Sequence, residues 1–268
     1  MRILHEDMDM KFRMFRHGTP ALALALLLGL SLCSGQEKDD EPLPPPRHSG
    51  STKIGGAIGF TQSFLFLDLD PINAVLKQEG LAEFSNNSLV MLGGQVYGYI
   101  LLVQNLRAGY IWMNGSMTSQ TLTGNVTREV QLSSGYTGLT LDYTIPVVPR
   151  LDVSLGMMLG GGNLTFNITR DYGLGKQWDQ AWQNFGSTQP ADEYSGKMSG
   201  SFFIYQPTLN VEFAVFRWLG IRAGAAYNGM AGGEWKRDDK YDLYGVPGDV
   251  NAKGWIFNSG IFAGFFLF

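Results

Sequence analysis

The chain has 268 residues, of which 13% are aromatic and only 16% are charged, and it contains 35 glycines. This composition favours β-structure whose surface is partly covered by something other than water. The 20 basic and 24 acidic residues give a net charge of -4. No basic stripe is present to neutralise phosphates, so nucleic acid is not an expected partner.

The first segment of the chain, 1–35, has the order of a secretory signal peptide. Basic residues precede the apolar run 21–28, and the small residues Ser34 and Gly35 follow it. This order predicts cleavage near Gly35. Two alternatives stay open: the run is an N-terminal membrane anchor, or Cys33 is lipidated as part of a lipoprotein signal, which the leucine before it fits poorly.

A polar segment, 36–52, is predicted to be a tether. It opens with the charged run 37–41 and continues with closely spaced prolines over 42–46, so it has almost nothing to bury. Such a segment stays extended or disordered, and after export it would lie in the periplasm. The folded domain is therefore expected to be 53–268.

The domain 53–268 is predicted to form eight strands. After residue 35 no uninterrupted apolar run has the length of a transmembrane helix. The connections after the second, fourth and sixth strands are tight, at Gln104-Asn105, 146–149 and Arg217-Trp218, whereas most of the others are long. Loops sorted in this way are typical of membrane barrels with both termini in the periplasm. The predicted strands are 53–66, 87–103, 106–119, 126–145, 150–170, 198–216, 219–235 and 252–268.

The fifth strand has the clearest alternation. Apolar residues occupy the odd positions of 151–159, and after the glycines 160–162 they occupy the even positions of 164–168. This change of phase predicts a glycine-centred bulge. Pro207 in the sixth strand removes a backbone donor and predicts a break or bulge there.

The end of the chain carries a recognisable pattern. Phe262, Phe266 and the terminal Phe268 belong to an apolar, aromatic final strand. This ending looks like the C-terminal signal by which bacterial outer-membrane barrels are recognised for assembly. With the loop pattern, the chain resembles the small eight-stranded class that includes the OmpA membrane domain and OmpX. The resemblance implies an all-β, antiparallel, up-and-down transmembrane β-barrel in a bacterial outer membrane, and no functional residue carries over from it.

Charged residues are predicted to collect on the inner face near the periplasmic end. An eight-stranded barrel is only just wide enough for its own side chains, so these charges would need partners. We expect an ion-pair network that seals the lumen. A gate or a path for protons or ions is the alternative, and a wrong facing assignment would remove both. The six residues are Lys53, Arg107, Asp142, Asp152, Glu212 and Arg222.

The barrel segment offers little for catalysis. All three histidines, His5, His17 and His48, precede it. A Ser-His-Asp arrangement or a histidine-ligated zinc site therefore cannot form there. The sequence predicts a protein that is not an enzyme, with no catalytic, cofactor-binding or metal-binding residues.

Short helices are expected in the outer loops. Asp70-Pro71 begins a helix that would end at Gly80. Trp178, Trp182 and Phe185 recur at spacings of four and three, which places them on one face of a second helix. These aromatics are candidates for contact with a partner or for anchoring at the membrane interface.

Three functions remain open. The leading hypothesis is a non-enzymatic outer-membrane barrel with a plugged lumen, which acts in surface interaction, envelope integrity or as the membrane subunit of an assembly. Its partners would be membrane lipid and a protein bound through the outer loops or the tether. The second is a transporter or channel for a small apolar molecule, lined by Ile111, Met113 and Met117. The third is a soluble lipocalin-like barrel.

Overall fold

The structure, a computed structural model, describes residues 55–172, 177–179, 182 and 193–265. The predicted signal peptide, the tether, Lys53, Phe185 and the terminal Phe268 lie outside these ranges.

Antiparallel strands dominate the described chain, and their bounds agree with the predicted strands to within a few residues. The elements are β1 (Gly56–Phe66), α1 (Asp70–Gln78), β2 (Ser88–Tyr99), β3 (Leu106–Thr123), β4 (Val126–Val148), β5 (Leu151–Asp171), β6 (Tyr194–Ala214), β7 (Leu219–Arg237), β8 (Tyr241–Asp242) and β9 (Gly254–Phe265).

The eight long strands close into a ring. Each of β1 to β7 pairs with the next strand in the chain, and β9 pairs with both β7 and β1. The two-residue β8 pairs only with the end of β7. A closed ring leaves no strand edge, so backbone donors and acceptors in the wall are satisfied within it. The predicted antiparallel, up-and-down, eight-stranded barrel is confirmed.

The connections differ between the two ends of the barrel. Segment 100–105, the turn at Pro149-Arg150 and segment 215–218 lie at the end of the barrel where β1 begins and β9 ends. The predicted turn at 146–149 is slightly misplaced: β4 continues to Val148 through a register irregularity, because Arg150 at φ 74° makes the reversal. At the other end 67–87 and 243–253 are long, whereas Gly124-Asn125 is a tight turn.

Helix α1 lies in the connection between β1 and β2. It has Pro71 in its first turn and ends just before Gly80, which adopts φ +66°. Proline fits the first helical turn because its missing N–H would have no partner there, and glycine accepts positive φ without strain. The predicted helix is confirmed.

The predicted bulge in the fifth strand is wrong. β5 keeps its register with β4 and β6 throughout 160–162. Leu159 and Asn163 both face outward, whereas Met158 and Leu164 both face inward and are buried. The apolar residues change from the outer face to the inner face because the barrel reverses its polarity along its height.

The bulge lies instead in β7, at Gly232-Gly233. The β6–β7 register shifts opposite Phe202, and the two glycines have φ +70° and +147°. A Cβ at Gly233 would lie 2.5 Å from the Phe202 ring. The extra residue lets Met230 and Trp235 both join the interior packing. Near Pro207 the same ladder is interrupted between Tyr205 and Thr208, as a proline requires.

Substitution at the β7 bulge should be more disruptive than substitution at Gly161 of β5. We expect Gly233→Val to lower the free energy of unfolding by about 1–3 kcal/mol, because it combines strain at positive φ with a clash against Phe202. The measurement is a urea titration of protein folded into phospholipid vesicles. Gly161→Val is the matched control: Gly161 has open space and ordinary φ, so its stability should change little. An equal loss at both positions would contradict the assignment.

Candidate functional site

An apolar belt surrounds the half of the barrel where β1 begins and β9 ends. Large apolar side chains, which a soluble protein would bury, face outward and are exposed here: Leu139 is 70% exposed and Leu159 is 50% exposed. On β4 the belt runs from near Thr137 to Val147, about 33 Å along the strand at about 3.3 Å per residue, or about 25 Å along the axis at a tilt near 40°. This height matches the apolar band of membrane barrels. Members from all eight wall strands include Ile58, Phe60, Val96, Tyr110, Leu141, Leu155, Val211, Ile221 and Phe257.

Inside the belt, four charged side chains form one buried layer. Arg107 lies 3.6 Å from the Asp142 carboxylate and 3.3 Å from that of Glu212. Arg222 donates from Nε to Glu212 Oε2 at 2.9 Å, so Glu212 bridges the two guanidinium groups. All four side chains are buried. Two cations and two anions balance one another, which is the condition for keeping charges in a space of low dielectric constant.

Aromatic rings hold the two arginines in place. Tyr97 lies between them, with its ring centre 4.4 Å from the Arg107 guanidinium and 4.7 Å from that of Arg222. The Phe262 ring is 4.3 Å from Arg222. Tyr97 also donates its hydroxyl to Glu212 Oε1 at 2.8 Å. Cation–π contacts of this kind are strongest where water is excluded.

Two polar neighbours complete the charge layer. Gln95 accepts a hydrogen bond from Arg222 at 2.7 Å, and Ser154 accepts one from Arg107 at 3.0 Å. Both lie on inward positions of their strands. The guanidinium groups are therefore held from several strands at once, which fixes their orientation across the lumen.

Of the six predicted lumen residues, the structure brings together Arg107, Asp142, Glu212 and Arg222. Asp152 is half-buried on the same inner face. It lies opposite Glu212 in the β5–β6 ladder, near the rim of the barrel where β5 begins. Lys53 lies outside the described residues.

Sequence reasoning missed Gln95, Tyr97, Ser154 and Phe262. The prediction of lumen residues was based on charge, and these four residues are uncharged. Strand parity could have found two of them: on β2, Gln95 and Tyr97 alternate with outward Val96, so they had to face the lumen, as Arg107 does on β3.

A small polar chamber lies directly above the charge layer. It has a volume of about 30 Å³, which is enough for one or two water molecules. The hydroxyls of Thr61, Thr140 and Thr208 border it and have no hydrogen-bond partner among the described residues. Asn210 and Asn258 also line it. The chamber separates the ionic layer from the apolar interior beyond it.

The rest of the lumen is a packed apolar core. Met113 is completely buried, and Ile111 and Met117 pack against the same cluster. These three residues were predicted as the lining of an apolar path, and the structure places them in a filled interior. Other members of the core are Leu65, Leu89, Met91, Leu132, Tyr136, Met158, Leu164, Phe166, Ile204, Met230 and Ile256.

The first long loop covers this core. Leu76 of α1 and Phe84 are buried in it. Asn73 fixes the loop by accepting from the Phe84 backbone N–H at 2.9 Å. The backbone of Ala82 donates to Thr121 Oγ1 at 2.7 Å, which attaches the loop to β3. The helix therefore closes the mouth of the barrel instead of lying on the lipid surface.

The predicted aromatic cluster of the third outer loop is described in part. Trp178 and Trp182 have helical backbone and contact each other edge to face at 5.7 Å. Their side chains are 75% and 58% exposed. Phe185 lies outside the described residues.

Charged residues at the outer rim pair with one another. Lys197 Nζ lies 2.7 Å from Asp239 Oδ2, and Ser199 donates to the same carboxylate at 2.9 Å. These hydrogen bonds hold the pKa of Asp239 below its ordinary value. Across the described ranges, no group of three histidine, cysteine or acidic side chains has a metal-binding arrangement. No described helix has the length and apolarity needed to cross a membrane.

The fold and the site define a class: an eight-stranded antiparallel β-barrel with an apolar outer belt and, inside it, a buried charge layer and an apolar core. No protein-family model matches the chain, and no curated protein matches it. Among solved structures it is similar to small outer-membrane β-barrels. Ail, the attachment invasion locus protein of Yersinia pestis, has 12% identity and a TM-score of 0.38 over 80% of this chain and 100% of that one.

Two further structures show the same general likeness. The N-terminal β-barrel domain of Pseudomonas aeruginosa OprF has 10% identity and a TM-score of 0.36, over 80% of this chain and 98% of that one. A major outer membrane protein from Thermus thermophilus has 11% identity and a TM-score of 0.42, over 79% and 99%. Similarities this low assign no activity or ligand to the chain.

Glu212 should be the most sensitive position of the charge layer. We expect Glu212→Gln to lower the free energy of unfolding by about 3 kcal/mol or more, because Arg107 and Arg222 then share too little negative charge in a buried site. Urea titration in vesicles measures the change. Glu129→Gln on the outer surface of β4 is the matched control and should change stability by less than about 1 kcal/mol. A small effect of Glu212→Gln would show that the layer does not depend on its bridging carboxylate.

Proposed function

We propose that this protein is a non-conducting, non-enzymatic β-barrel of a bacterial outer membrane, which acts through the part of the barrel that projects beyond the bilayer. The observation that carries the proposal is the filling of the lumen by two different layers in series. The charge layer around Glu212 occupies the end where β1 begins and β9 ends, and the apolar core around Met113 occupies the other end. A solute would have to disrupt both layers to pass.

The apolar belt supports the membrane location. Exposed apolar patches of this extent are rare on soluble monomers. Beyond the belt the polarity reverses: outward Asn163 and Thr169 on β5 are polar, and inward Leu164 and Phe166 are apolar. The lower half has the polarity expected in lipid and the upper half has the polarity expected in water. This pattern argues against a soluble lipocalin-like barrel, which has no need of an apolar belt.

The long strands β3 to β7 support an external role. Above Thr137, β4 continues to Val126, about 35 Å of strand at about 3.3 Å per residue. A barrel that only spans a bilayer does not need this length. With the termini in the periplasm, this projecting part, the α1 loop and the exposed Trp178 and Trp182 would face the exterior. Contact with a partner at the cell surface is the function that fits best.

The transporter hypothesis receives less support. Its predicted lining, Ile111, Met113 and Met117, is packed against other core side chains. The enclosed polar chamber holds only about 30 Å³. Transport would require the core to reorganise, whereas surface contact requires no change in the lumen.

Matched arginine substitutions should reveal where lipid ends. We expect Leu159→Arg to destabilise the folded protein in vesicles by about 2–4 kcal/mol, because it places a charge in the apolar belt. Thr169→Arg, outward on the same strand above the belt, should change stability by less than about 0.5 kcal/mol. Urea titration in vesicles compares them, with a heat-dependent gel shift as proof of folding. Equal effects would contradict the proposed membrane boundary.

Conductance tests the closed lumen directly. Inserted into planar bilayers, the protein should give no stable current steps. Arg222→Ala should also be silent, because the apolar core remains closed in series with the opened charge layer. Stable steps from the unaltered protein that change in size with Arg222→Ala would overturn the proposal and assign an ion path through the charge layer.

A further inference from the structure

The outer surface of the projecting wall is polar but nearly uncharged. The strand registers place four outward rows side by side, and we call them the polar face. Only Glu129 and Lys197 carry charge there, and the other positions are Asn, Gln, Ser, Thr or Gly. The rows comprise the outward positions of 114–120 on β3, 129–135 on β4, 163–169 on β5 and 195–201 on β6.

The polar face begins where the apolar belt ends. The row below it contains Trp112 and Phe203, and the next contains Tyr110 and Tyr205. Aromatic rows of this kind mark the boundary between hydrocarbon and headgroups in membrane barrels. The polar face therefore starts at the level of the lipid headgroups.

A groove of about 510 Å³ crosses this boundary. Val90 and Leu92 of β2 form its apolar side, and Leu92 lies directly opposite Asn114 in the β2–β3 ladder. Both apolar side chains are outward and exposed. The polar side is built on β3, β4 and β5 and includes Ser116 and Ser133.

The floor of the groove brings two carboxamides together. Gly135 has Asn114 opposite it on one side and Asn163 on the other. A Cβ at Gly135 would collide with the Asn114 carboxamide and would lie 3.2 Å from Asn163 Oδ1. Because Gly135 has no side chain, the carboxamides of Asn114 and Asn163 can both extend over it. Asn163 is further fixed by donating to Thr165 Oγ1 at 3.2 Å.

We propose that this groove binds a lipid with an uncharged saccharide headgroup, a glycolipid of the surrounding leaflet. The inference rests on the proposed membrane location. Val90 and Leu92 would contact the first part of the acyl chains, while Asn114, Asn163 and Ser133 would bond the sugar hydroxyls. A carboxamide both donates and accepts hydrogen bonds, so a pair of them suits hydroxyl groups.

The scarcity of charge selects the headgroup. A phosphate headgroup is recognised by arginine, lysine or backbone N–H groups, and among the described residues no cationic side chain lines the groove. The neutral amides and hydroxyls of the groove would give a phosphate group no positive charge to pair with. An uncharged sugar needs no such charge, and its hydroxyl groups can exchange hydrogen bonds with the amides and hydroxyls of the groove.

The test uses the full chain inserted in phosphatidylcholine vesicles that contain a minor fraction of digalactosyl diacylglycerol. Native mass spectrometry after transfer to detergent measures the ratio of galactolipid to phosphatidylcholine that stays bound. We expect enrichment of about tenfold over the bulk ratio, which corresponds to one or two net hydrogen bonds. The double variant Asn114→Leu with Asn163→Leu should reduce enrichment to near the bulk ratio. Both positions face outward, so the core is unchanged.

Asn167→Leu provides the matched control, because Asn167 is on the same face and strand but bonds Gln131 away from the groove. It should keep the enrichment. Equal loss in the control and the double variant would overturn the groove as the site. Enrichment of anionic phosphatidylglycerol instead would overturn the argument from charge, and displacement by free galactobiose would identify a soluble glycan as the ligand. A failed heat-dependent gel shift would separately show that the membrane location is wrong.

Discussion

Closure of the backbone hydrogen-bond ring is the constraint on which the rest of this structure depends. Once β9 pairs with both β1 and β7, no strand edge remains, and every wall residue must point either to the lumen or to the exterior. Successive residues alternate between the two faces. The residues at odd and even positions of a strand therefore determine the chemistry of its two faces. The inner and outer faces of one barrel can be polar or apolar independently at different heights.

This protein uses that freedom to reverse its polarity along the wall. In the belt, apolar residues such as Leu159 face outward while the interior is polar and ionic. Above the belt, Leu164 faces inward and Asn163 faces outward. The reversal needs no bulge in β5, because apolar residues move from odd to even positions along an unbroken register. The upper half then has an apolar interior and a polar exterior, so the hydrophobic effect acts inside it, whereas the lower half carries its apolar side chains on the exterior.

The two halves fill their interiors by different means. Around Glu212, burial is possible because two arginines pair with two carboxylates and both arginines contact the Tyr97 ring. Around Met113, burial is favourable because the side chains are apolar and α1 covers the open end. The hydroxyls of the small chamber lie between these regions. A function that leaves both fillings intact has to use the outside of the barrel.

The sequence by itself predicted the strands, their alternation, α1 and four of the charged residues that the structure places in the lumen, Arg107, Asp142, Glu212 and Arg222. Each follows from local spacing: period two for strands, proline and glycine at the helix ends, and parity for Arg107 and Glu212. Only the tertiary structure decided where the bulge lies, because Gly232 and Gly233 act through Phe202 on another strand. It also decided that Tyr97 contacts both arginines, and that Ile111, Met113 and Met117 belong to or pack against one apolar core. These features depend on which side chains from distant strands meet across a closed lumen, and spacing along one strand carries no information about that.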